Sequence, residues 1–332
     1  MKSKKMLTVI MIITIISAFL LSGVAQAAEP KVLKAITVLG ENNKFRRLCV
    51  AYANDVKRWS NGQLIIDIIG GSETIPSDNQ IFALKSGVVD IAFDLERVSS
   101  ITPVYTTMIL TGMKPWEQRA AGLYDWWREV YTKEADVYWL GQAAQTQWFV
   151  FALNKKVTSL ADFAGLKIRS NAPNAPAVEA LGAVPVVIPF SDIYSAMDRG
   201  VIDGFFMTTE DWVDNGWQEV TKYILDIRFL EGAQTGILVS MNVWNSLSEQ
   251  EKNWLQEPLI VNEPYYYAMS YENYAGGEDR IANAGVEFIS WSLEDRKKAI
   301  ELAREGVWNY VKANLKQEYI DHFTSIVKGL SK

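Results

Sequence analysis

The 332-residue chain has a single cysteine, Cys49, and a single histidine, His322. A disulfide framework within the chain, a His/Cys zinc site and a Cys-His nucleophile pair are thereby excluded. A Ser-His-Asp triad would have to use His322, which stands in a polar C-terminal stretch that reads as a solvated helix position. Neither GxGxxG nor GxxxxGK[ST] occurs, so the loops that cradle nucleotide phosphates are missing and no cofactor is called for. Basic charge is also short, with 33 Lys and Arg against 39 Asp and Glu and a net of −6, which argues against a nucleic-acid partner. No low-complexity linker divides the chain.

The N-terminus supplies the first positive signal. Lys2, Lys4 and Lys5 precede an apolar run from Met6 to Leu21, and Ala25-Gln26-Ala27 is a small-x-small cleavage site. Residues 1–27 therefore read as a cleaved secretory signal, with Ala28 near the mature start and the periplasm as destination; a retained membrane anchor is the lesser alternative. Without those lysines the balance is 30 basic to 39 acidic side chains. An anionic ligand would have to be drawn by local charge such as Arg169, Arg97 or Arg199.

About 300 residues exceed what one core usually holds, so an α/β chain of two lobes is expected. Residues 28–138 should be mostly lobe 1 and 139–234 mostly lobe 2. Residues 235–332 should give a hinge-crossing strand and C-terminal helices packing on both. Ser248-Glu249-Gln250-Glu251 is a capping box, Glu263 to Ala284 reads as a long packed helix, and Ser292-Leu293-Glu294-Asp295 starts another.

The segment from Gly165 to Asp211 is the most informative. Arg169 follows the apolar run Leu166-Lys167-Ile168 and precedes Asn171, Pro173 and Pro176, which places it at a strand end facing a cleft. Its planar fork suits a carboxylate and stays charged at physiological pH; the bland alternative is a surface ion pair. Downstream, Pro189-Phe190-Ser191-Asp192 opens a helix with Ser191 as N-cap, Gly200 closes it, and Val201 to Phe206 is a strand. The same unit occurs earlier, since Ala83 to Phe93 echoes Ala196 to Phe206 with Ala, Gly, Val, Asp and Phe in register. Two lobes built alike are implied.

These motifs carry a resemblance. GLKIR, the Gly182-Ala183-x-Pro185 segment and PFSDIYSAMDRGVIDG, with SNGQLIIDII, ALKSGVVDIAF and TSLADFAGLKIR upstream, are similar to the DctP-type solute-binding proteins of tripartite ATP-independent periplasmic (TRAP) transporters. The resemblance covers nearly all of the mature chain. It implies the two-lobed periplasmic binding protein fold, with a ligand cleft between the lobes and with hinge strands and a long helix linking them. It also implies that Arg169 pairs with a ligand carboxylate, that Phe190 sets a ring against the ligand, and that membrane permease subunits are the partner.

Where familiar relatives carry polar anchors, this chain reads Gln147-Trp148-Phe149-Val150-Phe151 and Phe205-Phe206-Met207-Thr208, which suggests apolar walls and an organic acid with an aromatic or indole-like body. Core packing is the competing reading for these rings, and half or fewer are expected to touch ligand. Asn171, Asn42, Glu96 and Arg97 complete the candidate site. The expected function is non-enzymatic capture of a small carboxylate by a monomer. The runner-up is a secreted hydrolase using Glu210 and Asp211, adjacent residues that would point to opposite faces of a strand.

Overall fold

Short apolar runs between glycine-marked turns become strands in the computed structural model, which describes residues 29–41, 43–94, 101–145, 147–210, 212–231 and 234–327. The proposed signal segment lies outside the described residues. One sheet has the order β2-β1-β3-β10-β4, built from β1 (Lys31–Thr37), β2 (Leu64–Gly70), β3 (Ile91–Asp94), β4 (Val137–Gln145) and β10 (Gln234–Ser240). The other has the order β11-β9-β5-β8-β6-β7, built from β5 (Val150–Leu153), β6 (Lys167–Ser170), β7 (Val184–Val187), β8 (Gly204–Met207), β9 (Tyr223–Leu225) and β11 (Glu287–Ile289).

In the first half, α1 (Lys44–Trp59) starts where the Asn43 side chain accepts the Phe45 N–H at 2.8 Å, and its apolar face buries Leu48, Tyr52 and Val56. It is followed by α2 (Ser77–Lys85), α3 (Val104–Met108), α4 (Pro115–Ala120) and α5 (Leu123–Val130). One helix spanning Glu117 to Thr132 fits the pattern of that stretch, but Gly122 at φ +86° breaks it in two. Trp126 and Trp127 on α5 are buried, as packing residues should be. In the second half, α6 (Ala175–Ala180) and α7 (Ile193–Asp198) connect the parallel strands, and α8 (Met241–Ser246) follows β10. Ser191 does not cap α7: its hydroxyl donates to Asp192 Oδ1 at 3.0 Å within a 3-10 turn, Phe190–Asp192.

The sequence echo is a structural repeat. After α2 and after α7 a glycine takes the left-handed conformation, Gly87 at φ +78° and Gly200 at φ +66°. In both turns the next residue, Val88 or Val201, bonds back to the alanine carbonyl, Ala83 or Ala196, at 2.9 Å. The aspartates then do the same work. Asp90 N–H donates to Lys34 O and its carboxylate accepts Lys34 N–H, while Asp203 makes the same reciprocal pair with Lys167. Each aspartate thereby pins the start of the neighbouring parallel strand, β1 or β6, and sets equal registers: Ala35 opposite Ile91 and Ile168 opposite Gly204.

The C-terminal section holds α9 (Glu249–Asn283), α10 (Leu293–Asn314) and α11 (Gln317–Ile326). The Ser248 capping box and the Ser292 N-cap form as expected. The long helix is longer than its proline content suggests, because it continues from the capping box through Pro258 and Pro264 for 35 residues, or about 52 Å. Tertiary packing outweighs the lost backbone bonds. Leu255, Leu259 and Tyr266 join the core under the first sheet, and Ile281 joins that of the second, so α9 links the lobes. Within residues 139–234 the first stretch still belongs to the first sheet, since β4 pairs with β10 there and the chain crosses over only after Gln145.

Candidate functional site

Strand order places the site. β6 pairs in parallel with both β7 and β8, and β8 lies on the far side of β6 from β7. The connection out of β6 thus leaves in one direction, and the one into β8 returns on the other side. Such a switch point opens a crevice at the carboxyl ends of the strands, where ligands of open α/β sheets bind. The first sheet repeats the order with β2-β1-β3.

Arg169 stands at the carboxyl end of β6, at that switch point. Strand alternation puts its neighbour Ile168 in the core that holds Phe151 and Phe206, whereas Arg169 shares the opposite face with its register partner Phe205. The side chain is only 4% exposed. Its Nε donates to Ile188 O at 3.1 Å, just past the end of β7, and Nη1 donates to the Met207 sulfur at 3.2 Å at the end of β8. The guanidinium is therefore stretched across the carboxyl ends of these strands. A cation fixed this way can hold a carboxylate or phosphate without losing side-chain freedom on binding.

Several other candidates gather here. Asn171 immediately follows β6, and its side chain accepts the Asn174 N–H at 3.3 Å, fixing the turn Ala172–Asn174. Phe190, half-buried two residues after Ile188, packs edge-on against Trp217 at 4.9 Å. Met207 is half-buried and Thr208 buried at the end of β8.

The structure separates others from Arg169. Phe149 and Phe206 are buried in the core on the opposite sheet face, 5.2 Å apart, with Phe206 stacked on Phe151 at 4.3 Å. Period-two alternation sends Phe206 away from the face that carries Phe205, so these two rings do not wall the crevice. Trp148 packs against Tyr274 of α9 at 5.5 Å and under the Arg228 guanidinium at 4.5 Å. Trp212 is fully buried against Phe205. Asn42, Glu96 and Arg97 lie outside the described residues, as does Asp211. Glu210 is buried, and one carboxylate oxygen takes the Gln147 N–H at 3.4 Å.

Two features escaped sequence reasoning. Lys44, at the start of α1, reaches the second lobe, donating to Glu210 O at 2.9 Å and pairing with Asp214 at 3.1 Å. Arg280 of α9 holds the same carboxylate through a fork. The hydrogen bonds from Arg280, joined by Lys44, outweigh partial burial and lower the Asp214 pKa to about 2. No local signal predicts such long-range pairs. The second feature was visible in the sequence, because Gln142, Gln145 and Gln147 interrupt an otherwise small and apolar segment, and all are buried.

A family model described as bacterial extracellular solute-binding protein, family 7 (DctP), matches residues 37–313. The C4-dicarboxylate-binding periplasmic protein DctP of Rhodobacter capsulatus is 23% identical over 288 residues, covering 81% of this chain and 83% of its own length. A TRAP periplasmic solute binding protein from Desulfovibrio desulfuricans with bound sn-glycerol-3-phosphate has a TM-score of 0.80 at 18% identity, over 91% of this chain and 98% of its own. Another from Desulfovibrio salexigens with bound orotic acid has a TM-score of 0.79 at 18% identity, over 90% and 99%. At this identity the structural likeness establishes the fold. The family match over most of the length, on a two-lobed scaffold with matching architecture, means that the chain belongs to the DctP family of extracellular solute-binding proteins, the TRAP transporter type.

Proposed function

We propose that this protein captures a small organic carboxylate in the periplasm, closes its lobes on it, and delivers it to the membrane permease subunits of a TRAP transporter. The observation that carries the reading is the buried Arg169, stretched between Ile188 O and Met207 at the switch point of the second sheet. Its fork receives the carboxylate, and closure excludes water from the pair. Phe190 and Met207 border the same crevice and offer one apolar face to a flat ligand body. The aromatic-body expectation thus rests on these two residues and no longer on Phe149 or Phe206. Neighbours in the fold that bind sn-glycerol-3-phosphate and orotic acid fit an anion-holding crevice. In this reading the protein is a monomeric carrier, exported by cleavage after Ala27. A hydrolase built on Glu210 and Asp211 gains no support, since a Glu210 oxygen is engaged by the Gln147 backbone.

A thermal-shift screen of the mature protein against organic acids tests this. A ligand at about 100 times its dissociation constant adds about 2.7 kcal/mol of stability if it binds only the folded form. Carboxylates should raise the melting temperature and their amides or methyl esters should not. Neutral sugars that stabilise the protein while every carboxylate fails would overturn the reading.

A further inference from the structure

The two strands that cross between the sheets meet at glutamines. Gln145 ends β4, Gln234 begins β10, and the antiparallel register sets them opposite each other. Opposed residues project to the same side with Cβ atoms about 4.5–5.5 Å apart. Both are buried, Gln234 completely. Gln145 Nε2 donates to Met113 O at 3.4 Å, but its Oε1 has no hydrogen-bond partner, and neither amide atom of Gln234 has one. The two amides are placed to satisfy each other and do not.

More polar atoms of this kind surround them. The Gln234 N–H donates to Tyr105 Oη of α3 at 3.2 Å, and α3 packs against the turn Ala172–Asn174 of the second sheet. From these elements the Thr106 hydroxyl and the Asn174 side-chain carbonyl oxygen are likewise buried without partners. A buried polar group left unpaired is costly, and native chains carry few. A concentration of them from both lobes, at the turn that follows the strand of Arg169, is not what core packing produces.

We infer that Gln145, Gln234, Thr106 and Asn174 form the subsite for the ligand's body, and that this body carries hydrogen-bonding edges: a lactam, an imide or a hydroxylated chain. The inference rests on Arg169 holding the carboxylate. Gln234 presents a donor and an acceptor together, the complement of a cyclic amide edge, which also has the flat shape that Phe190 and Met207 admit. A site built this way rejects an analogue of equal size without those edges, because its own amides stay unpaired.

The test uses matched carboxylates in calorimetric titration of the mature protein: orotate with benzoate, pyroglutamate with cyclopentanecarboxylate, and gluconate with hexanoate. In at least one pair the polar member should bind roughly ten- to a hundredfold tighter. Gln234→Met should abolish most of that advantage and leave the apolar member's affinity equal or higher, and Gln145→Met should do the same in weaker form. The ligand-free melting temperature should not fall in Gln234→Met, since no hydrogen bond within the protein is lost. Apolar members binding as tightly in all three pairs would overturn the subsite while leaving carboxylate capture intact. A fall in melting temperature without loss of discrimination would also overturn it, by showing Gln234 to be structural. Failure of every acid, polar or apolar, would overturn both readings.

Discussion

Replacing Arg169 by alanine separates binding from folding. In the complex, the guanidinium and the ligand carboxylate would share a site from which water is excluded, because Arg169 is already 4% exposed. Removing one partner leaves a buried charge uncompensated, which costs about 3–5 kcal/mol. The dissociation constant should rise by roughly two to four orders of magnitude. The ligand-free protein loses less. The bond from Nε to Ile188 O, at 3.1 Å, is a charged donor on a neutral carbonyl at the end of β7. Such bonds contribute about 1.5–3 kcal/mol at most, and water can reach the freed carbonyl. A drop of a few degrees in melting temperature is expected for a fold of this size.

Calorimetric titration with the tightest acid from the screen, with circular dichroism on the same samples, reads both effects. Arg169→Lys keeps the charge but not the fork, so it should recover only part of the affinity. Unchanged affinity in a folded Arg169→Ala protein would refute the clamp, and equal loss for acids and uncharged compounds would show the arginine to be merely structural.

Asp214→Asn should weaken ligand binding by a few-fold, since it removes the partner that Lys44 reaches across the lobes; at 44% exposure of its side chain the pair contributes less than about 1 kcal/mol after screening. With a folded pKa of about 2 against an ordinary value of 3.8, that contribution is complete above the ordinary value and fades as pH falls toward 2, which a binding profile at constant ionic strength would reveal. Gly277→Ala should destabilise the protein by about 1 kcal/mol or more in urea, although alanine is the better helix former, because a Cβ there would fall inside the Thr209 carbonyl; a stabilised variant would contradict the packing of α9. Cys49 is fully buried and its thiol pKa is pushed up to about 12 by desolvation, so a thiol reagent should label it only in denaturant. N-terminal sequencing of exported protein should begin at or near Ala28.

Local chemistry was legible and long-range pairing was not. The helix-Gly-strand echo could be aligned residue by residue, because the left-handed glycine and the aspartate that pins the next strand are written within eleven residues of sequence. Arg169 was placed at a strand end for the same kind of reason. The fate of the aromatic rings was harder to read. Phe205 and Phe206 are equivalent as symbols, and only the pairing of β8 with β5 and β6 decides which face is which. The crossover after Gln145 was missed because β4 finds its partner in β10, about ninety positions away, a pairing that no local pattern encodes. The Lys44–Asp214 contact has the same character. Proline in α9 misled in the other direction, since packing against two cores outweighs a local breaker.

The duplication inside the fold also isolates what is functional. The aspartate pins make Lys34 equivalent to Lys167, so Ile36 corresponds to Arg169 and Thr37 to Ser170; the registers agree, with Ile36 opposite Ala92 and Arg169 opposite Phe205. At the first position one sheet buries an isoleucine in its core and the other a cation. At the second both keep a small hydroxyl, yet Thr37 Oγ1 accepts the Leu39 N–H at 3.1 Å, while the Ser170 hydroxyl has no partner. The scaffold therefore does not require an arginine at this register, nor an unpaired hydroxyl beside it. Both departures fall on the same two residues of one lobe, at the carboxyl end where its connections diverge. Selection for folding alone would favour the arrangement that the first sheet has at these two positions, where no charge is buried and the hydroxyl is satisfied. The second sheet departs from it at the switch point, where the proposed reading puts the ligand carboxylate.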